Sequence, residues 1–175
     1  LPLIIVDDGS SSCIKIPSPI KNVEILRNSN NQGKGAALIK GFEYGYKRRY
    51  THAITIDADF QHDPSFIPYF LNINENISLV CGQRIFRNTM PLHRRFSNFI
   101  TSKIVSTICH MNIYDSQCGF RRYKLKDIQD EKYFEKGFQF ETEVLIILAR
   151  KNIKIEYIKI PTIYKNETSN INIII

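Results

Sequence analysis

The chain has 175 residues, 43% of them hydrophobic and 23% charged, and carries a formal net charge of +7. That length suits one domain with a substantial core and is short for two, and the composition excludes a disordered or fibrous chain. The positive charge points to an anionic partner: nucleic acid, a phosphorylated ligand or an acidic membrane.

Cys13, Cys81, Cys109 and Cys118 are scattered, with no C-x-x-C pair. They offer neither a zinc site nor a disulfide framework and leave a reducing, cytoplasmic compartment as the default. No stretch reaches the roughly 18 to 20 apolar residues that a membrane span needs, and no signal peptide is recognisable. The chain opens on Leu1 and stops in the apolar run "NINIII". It reads as a segment of a longer protein, with a domain over 1–165 and a tail, or the start of a further segment, over 166–175.

In chain order, "LIIVDD" (3–8) is a continuous apolar run ending in acids, as a buried parallel strand reads, and "VEILRN" (23–28) is a second strand. "GKGAALIKGFEYGYKRRY" (33–50) places Ala37, Leu38, Phe42 and Tyr46 at helical spacing after a glycine-rich start. "HAITIDAD" (52–59) is a third strand, "PSFIPYFLNI" (64–73) opens a helix with proline near its N-terminus, and "SLVCGQR" is a fourth strand. "PLHRRFSNFITSKIVSTICH" (91–110) is a long helix with Leu92, Phe96, Phe99, Ile100, Ile104 and Ile108 on one side. Such a side is ordinarily internal packing; left exposed, it could lie on a bilayer. "FETEVLIILARKN" (140–152) is a helix, "KIEYIKIP" (154–161) a late strand, and "YKNETSN" (164–170) a loop or tail. Strands alternating with helices predict a mostly parallel α/β sheet with helices on both faces.

Ligands of open α/β sheets bind beyond the carboxyl ends of the strands, where "VDD" and "DAD" both sit. Residues two apart on a strand point to the same side, so Asp57 and Asp59 face one way while Ile54, Ile56 and Ala58 face the other. Two carboxylates so close repel unless a cation lies between them or one is protonated. Hard oxygen ligands suit Mg²⁺ or Mn²⁺, and Gln61 and His62 could complete or orient the shell. The alternative is a solvated turn in which Asp59 caps the next helix. Asp7 and Asp8, before Gly9, can accept hydrogen bonds from a base N–H or a ribose hydroxyl, although "DDGS" is also a generic turn. "NNQGKGAAL" matches neither G-x-x-x-x-G-K-[ST] nor G-x-G-x-x-G; what remains is a helix N-terminus with Lys34 beside it, which favours an anion. Between Glu75 and Asp115 there is no acidic residue, while Arg84, Arg87, Arg94, Arg95 and Lys103 all fall there. This stretch is either an anion site or a merely basic surface.

Taken together, "IVDDGS", "NQGKGAAL", "TIDADFQHDP", "GQR", "DSQCGFRRY" and "GFQFETEVLI" carry a resemblance over about residues 3 to 165. The chain resembles the family 2 glycosyltransferases, in the branch of dolichol- and polyprenyl-phosphate sugar synthases. The resemblance implies a GT-A (Rossmann-like) fold and an inverting transfer from a UDP- or GDP-sugar to a polyprenyl phosphate, at the cytoplasmic face of a membrane. By position it implies that Asp7, Asp8, Lys34 and Asp57 bind the nucleotide sugar and that Asp57, Asp59 and Gln61 hold Mg²⁺ or Mn²⁺. It places the acceptor phosphate at Arg84, Arg94, Arg95 and Ser97, and catalytic acids at Asp59 and Asp115. The family's first strand and helix, ahead of "VDDGS", are expected to be missing, so that "LIIVDD" presents an unpaired edge. A sugar-phosphate nucleotidylyltransferase and a non-catalytic nucleotide- or phospholipid-binding remnant are the alternatives. A nucleic-acid partner is not expected, because that would want aromatics interleaved with the basic residues, whereas Phe96 and Phe99 read as helix core.

Overall fold

The structure, a computed structural model, describes residues 1–16, 20–85, 92–161, 163 and 172–174, the side chains of 92–95 and 172–174 excepted. The elements are β1 (Leu3–Asp7), β2 (Val23–Arg27), α1 (Lys34–Lys47) and β3 (His52–Asp57), then a 3₁₀ turn (Pro64–Phe66) running into α2 (Ile67–Leu71). β4 (Leu79–Ile85), α3 (Leu92–Cys109), β5 (Arg121–Lys124), α4 (Leu125–Gln129), α5 (Phe140–Arg150), β6 (Ile155–Pro161) and β7 (Asn172–Ile174) complete the order. The helix expected over 64–73 is thus a turn and a short helix. Its start is set by Asp63, whose carboxylate accepts the Ser65 N–H at 2.9 Å.

One sheet holds all seven strands in the order β2-β1-β7-β3-β5-β4-β6. β1 pairs parallel with β2 and β4 with β6, while β7 and β5 are antiparallel to both of their neighbours. Five strands therefore run one way, and their carboxyl ends share one edge. Residues 172–174, expected in a tail or at the start of a further segment, form β7, which covers the edge of β1 at Ile4, Ile5 and Val6 that was expected to lie unpaired. Backbone donors and acceptors on two facing edges are satisfied when an extended segment enters between them.

Alternation along the strands divides the core between two faces. Ala53, Leu79, Cys81 and Tyr123 join Phe42, Phe140, Val144 and Leu148 of α1 and α5 on one face. Ile54, Ile56, Val80 and Phe120 join Phe70 of α2 on the other. Both faces are covered, which is why the strands read as unbroken apolar runs rather than alternating ones.

β5 was not predicted, and its sequence "RRYK" explains why. Arg121 and Arg122 are buried, and the partners of their guanidinium groups are carbonyl oxygens rather than carboxylates. Arg121 donates to the carbonyls of Cys118, Ser116 and Glu141 at 2.6, 2.7 and 2.7 Å. Arg122, on the opposite face, donates to those of Phe70, Ile73 and Asn74 at 2.9, 2.7 and 2.7 Å. It thereby caps the C-terminal end of α2, whose last carbonyls have no partner within the helix.

A hydrogen bond to a charged group contributes about 1.5 to 3 kcal/mol, and orphaned buried acceptors add to the loss. Arg122→Met is therefore expected to lower the unfolding free energy by about 3 kcal/mol in urea titration, with Arg122→Lys recovering part of it. An unchanged midpoint in Arg122→Met would show that water replaces the guanidinium at the end of α2.

Candidate active site

The carboxyl edge of the sheet opens into a cleft of about 1120 Å³. Lys34 from the start of α1, Asp57 from the end of β3, Asp59, Gln61, Arg84 from β4, and Ser97 from α3 all line it. Six of the expected site residues thus meet around one space, although they span more than sixty positions of sequence.

Asp57 is held from two sides. Its carboxylate lies against the bare α-carbon of Gly119, where an added Cβ would sit 2.2 Å from Oδ2. On the other side the Lys34 ammonium stands 2.8 Å from Asp57 Oδ1 and 3.0 Å from Glu141 Oε2. The Lys34 side chain is only 8% exposed. Burial pulls its pKa down, but Glu141 and Asp57 outweigh that and hold it above the ordinary lysine value. Asp59 is oriented by its own turn, its Oδ1 accepting the Gln61 N–H at 3.0 Å. His62 is buried against the Phe120 ring, and burial lowers its pKa.

The glycines around Lys34 do not form a phosphate cradle. A Cβ on Gly33 would lie 2.4 Å from the Lys136 carbonyl, and one on Gly35 would lie 2.7 Å from the Phe140 Cβ. Their function is close approach: they let the start of α1 press onto the 135–140 segment, which carries Lys34 to Glu141. Gly33 also has a φ of 99°, a conformation that favours glycine.

Asp7 and Asp8 are engaged in tying loops together and are not among the residues lining the cleft. Asp7 accepts from Arg27 at 2.5 Å and from the Ser10 N–H at 2.9 Å. Burial raises its pKa, but these donors more than offset that and leave it below the usual aspartate value. Asp8 accepts the N–H groups of Gln32 and Gly33 at 3.0 and 2.8 Å, and the Asn28 amide at 2.7 Å. This ties the strand end to the entry of α1.

Asp115 is buried and forms a two-pronged pair with Arg84, accepting Nε at 2.7 Å on Oδ2 and a terminal nitrogen at 2.9 Å on Oδ1. Arg84 lines the cleft; Asp115 stands behind it. The side chains of Arg94 and Arg95 lie outside the described residues. Along α3 the sheltered positions are Asn98, Ser102, Val105 and Cys109, while Phe96 and Phe99 are 66% and 67% exposed and Ile100, Ile104 and Ile108 are also exposed. The apolar side expected to pack inward faces outward instead. The inner side is narrow and mixed: Val105 and Cys109 enter the core, while the Ser102 hydroxyl accepts the Ser116 N–H at 3.0 Å.

Chemically, the cleft is lined by the Asp57 and Asp59 carboxylates and the Gln61 amide, by the Arg84 guanidinium and the Ser97 hydroxyl, and by the further carboxylates of Glu135, Glu141 and Glu143. Among the described residues no three His, Cys, Asp or Glu side chains converge on a metal position. Asp57, Asp59 and Gln61 are hard oxygen donors of the kind Mg²⁺ and Mn²⁺ take, but they form a partial shell that needs further oxygens from a ligand such as a diphosphate. Glu141, Gly119, Gln117 and Thr101, all at or beside this cleft, carry no role that sequence reasoning assigned. The motifs "GFQFETE" and "DSQCGF" contained three of these four, without indicating what each does.

Comparison with known proteins adds a family. The profile of glycosyl transferase family 2 matches residues 2–147. An uncharacterised protein of Methanocaldococcus jannaschii is 36% identical over 174 residues, covering 90% of this chain and 75% of that protein. The UDP-N-acetylglucosamine–dolichyl-phosphate N-acetylglucosaminyltransferase of Methanococcus voltae is 30% identical over 188 residues, covering 93% and 74%. Among solved structures, glucosyl-3-phosphoglycerate synthase from Mycobacterium tuberculosis, in complex with Mn²⁺, UDP and glucosyl-3-phosphoglycerate, superposes with a TM-score of 0.72 at 17% identity. That match covers 95% of this chain and 62% of the synthase, and at such identity it speaks for the GT-A fold alone.

The seat of Asp57 makes a direct prediction. Gly119→Ala is expected to drive the carboxylate out of its place, so that a crystal structure of the variant shows the Lys34–Asp57 pair opened beyond about 4 Å while the circular dichroism spectrum is unchanged. A variant with the pair intact would mean that the backbone at 119 yields instead.

Proposed function

The chain belongs to glycosyl transferase family 2, and from that premise we propose that it transfers a hexose from a UDP- or GDP-sugar to a polyprenyl phosphate, with inversion at the anomeric carbon. The observation that carries this reading is that one cleft is lined both by Asp57, Asp59 and Gln61 and by Arg84 and Ser97. The carboxylates suit a metal-bound diphosphate, and the arginine suits a phosphate acceptor.

For the donor, Asp57, Asp59 and Gln61 would hold Mg²⁺ or Mn²⁺, which when bound offsets the charge of the departing nucleoside diphosphate. Lys34 adds a positive charge from a desolvated position, where electrostatic interactions are strong. Asp8 acts on the nucleoside side by holding the loop that ends in Gly33, and Asp7 by holding Arg27 and the turn at Ser10. For the acceptor, Arg84, one edge of whose guanidinium is taken by Asp115, supplies the positive charge that a phosphate needs, with Ser97 lining the same cleft and Arg94 and Arg95 on the same helix as Ser97. An oxygen of the acceptor phosphate forms the new bond to the anomeric carbon while the bond from that carbon to the donor diphosphate breaks. The phosphate is already ionised, so no general base is required. Asp115 accordingly serves the reaction by fixing Arg84, and Asp59 by holding the metal.

The relatives support a lipid acceptor, since the Methanococcus voltae enzyme acts on dolichyl phosphate. No described helix is long and apolar enough to cross a membrane. The exposed side of α3 suggests another mode: Phe96, Phe99, Ile100, Ile104 and Ile108 lie on the bilayer surface at its cytoplasmic face. Ser97 and Thr101 on that helix face the cleft, where the lipid phosphate would enter. The acid-free stretch from 76 to 114 favours an anionic surface. Family membership leaves the nucleotidylyltransferase reading without an observation of its own.

Sugar transfer to a short-chain polyprenyl phosphate is the test. Asp59→Asn is expected to cut transfer by about a hundredfold or more. Arg84→Lys is expected to raise the acceptor KM while leaving UDP or GDP binding nearly intact. A neutral polyprenol that serves equally well would overturn the phosphate site. Replacing Phe96 and Phe99 by Asp is expected to abolish sedimentation with anionic vesicles while sparing transfer to the water-soluble acceptor; unchanged sedimentation would place the membrane contact elsewhere.

A further inference from the structure

Glu141 stands out among the groups around the cleft. It is 3% exposed, and among the described residues one of its oxygens, Oε1, has no hydrogen-bond partner. Its Oε2 is held by Lys34 alone among the described residues, and its backbone carbonyl is pinned by Arg121 at 2.7 Å. A buried carboxylate oxygen without a donor is costly and calls for an explanation in terms of a missing partner or a working role.

The geometry supplies one. The Lys34 ammonium bridges Asp57 and Glu141, so a cation already occupies an oxygen of Asp57. A divalent ion on the same carboxylate would stand a few ångströms from that ammonium. Two unit charges about 4 Å apart interact by about 4 kcal/mol at an effective dielectric of 20, and a double charge doubles the repulsion. Ammonium and metal therefore exclude one another from Asp57. We infer that Lys34 is a tethered counter-ion that the metal displaces from Asp57, and that Glu141 is the positioning residue that receives it, with Oε1 accepting the N–H released by Asp57. The inference rests on the metal site of the proposed function. Its consequence is ordered loading: metal alone binds poorly because it must displace Lys34, whereas metal with a diphosphate binds well because the displaced ammonium gains an anion.

Mn²⁺ binding without nucleotide, followed by the electron paramagnetic resonance signal of the free ion, separates the possibilities. Lys34→Met is expected to bind Mn²⁺ about tenfold more tightly than the wild type, and Glu141→Gln about tenfold more weakly, since Asp57 is then the one carboxylate left of the two that hold Lys34. A simple sum of charges would give the same signs, so the double variant decides. If Glu141 acts through Lys34, Glu141→Gln has little effect in the Lys34→Met background; additive effects would overturn the inference. Unchanged Mn²⁺ affinity in Lys34→Met would overturn it too, while the metal site stands provided that Asp59→Asn still weakens binding. If Asp59→Asn leaves Mn²⁺ binding as it was, the metal site itself fails and the exchange falls with it. Thermal midpoints recorded alongside identify any variant whose change is a loss of fold.

Discussion

A single ammonium joins three parts of the chain that are far apart in sequence. Lys34, at the first turn of α1, reaches the end of β3 through Asp57 and the start of α5 through Glu141. Each of the three is fixed independently: Asp57 by the bare α-carbon of Gly119, α1 by the close approach of Gly33 and Gly35 to the 135–140 segment, and Glu141 by Arg121 on its carbonyl. Without the bridge, two carboxylates would share a poorly solvated cleft with nothing to offset them. With it, the cleft can be assembled before any ligand arrives, which is what preorganised electrostatic catalysis requires.

Most of the fold could be read from the sequence because both faces of the sheet are buried. Residues such as Ile4, Val6, Ile54 and Ile56 had to be apolar wherever they pointed, and the runs announced themselves. β5 escaped because its burial is of another kind. Arg121 and Arg122 lie inside by virtue of carbonyl oxygens contributed from segments distant in the chain, and no local pattern records those partners. α3 shows the converse failure. Its spacing was read correctly, but spacing says only that two sides differ, not which side faces inward, and here the narrower side with Asn98, Ser102 and Val105 does.

For the site, the legible part was the part with a short-range signature. Asp57 and Asp59, two apart at a strand end, declare a shared direction by themselves. Arg84 stood out because no acid accompanies it over a long stretch, yet its partner Asp115 lies beyond that stretch, and the two form a close pair. Glu141 sat inside a recognised motif without a role, since an acid in the first turn of a helix has a sufficient local reason to be there. Only the fold brings it to Lys34.

The proposed exchange of the Lys34 ammonium for a divalent ion takes place on the Asp57 and Asp59 carboxylates. A crystal structure of the protein grown with Mn²⁺ and UDP, with the ion located by its anomalous scattering, addresses it directly. The account predicts Mn²⁺ bonded to oxygens of both Asp57 and Asp59 and to the diphosphate, with Lys34 shifted off Asp57 and still on Glu141. Mn²⁺ bound away from these carboxylates, or Lys34 still on Asp57 with the metal in place, would contradict it.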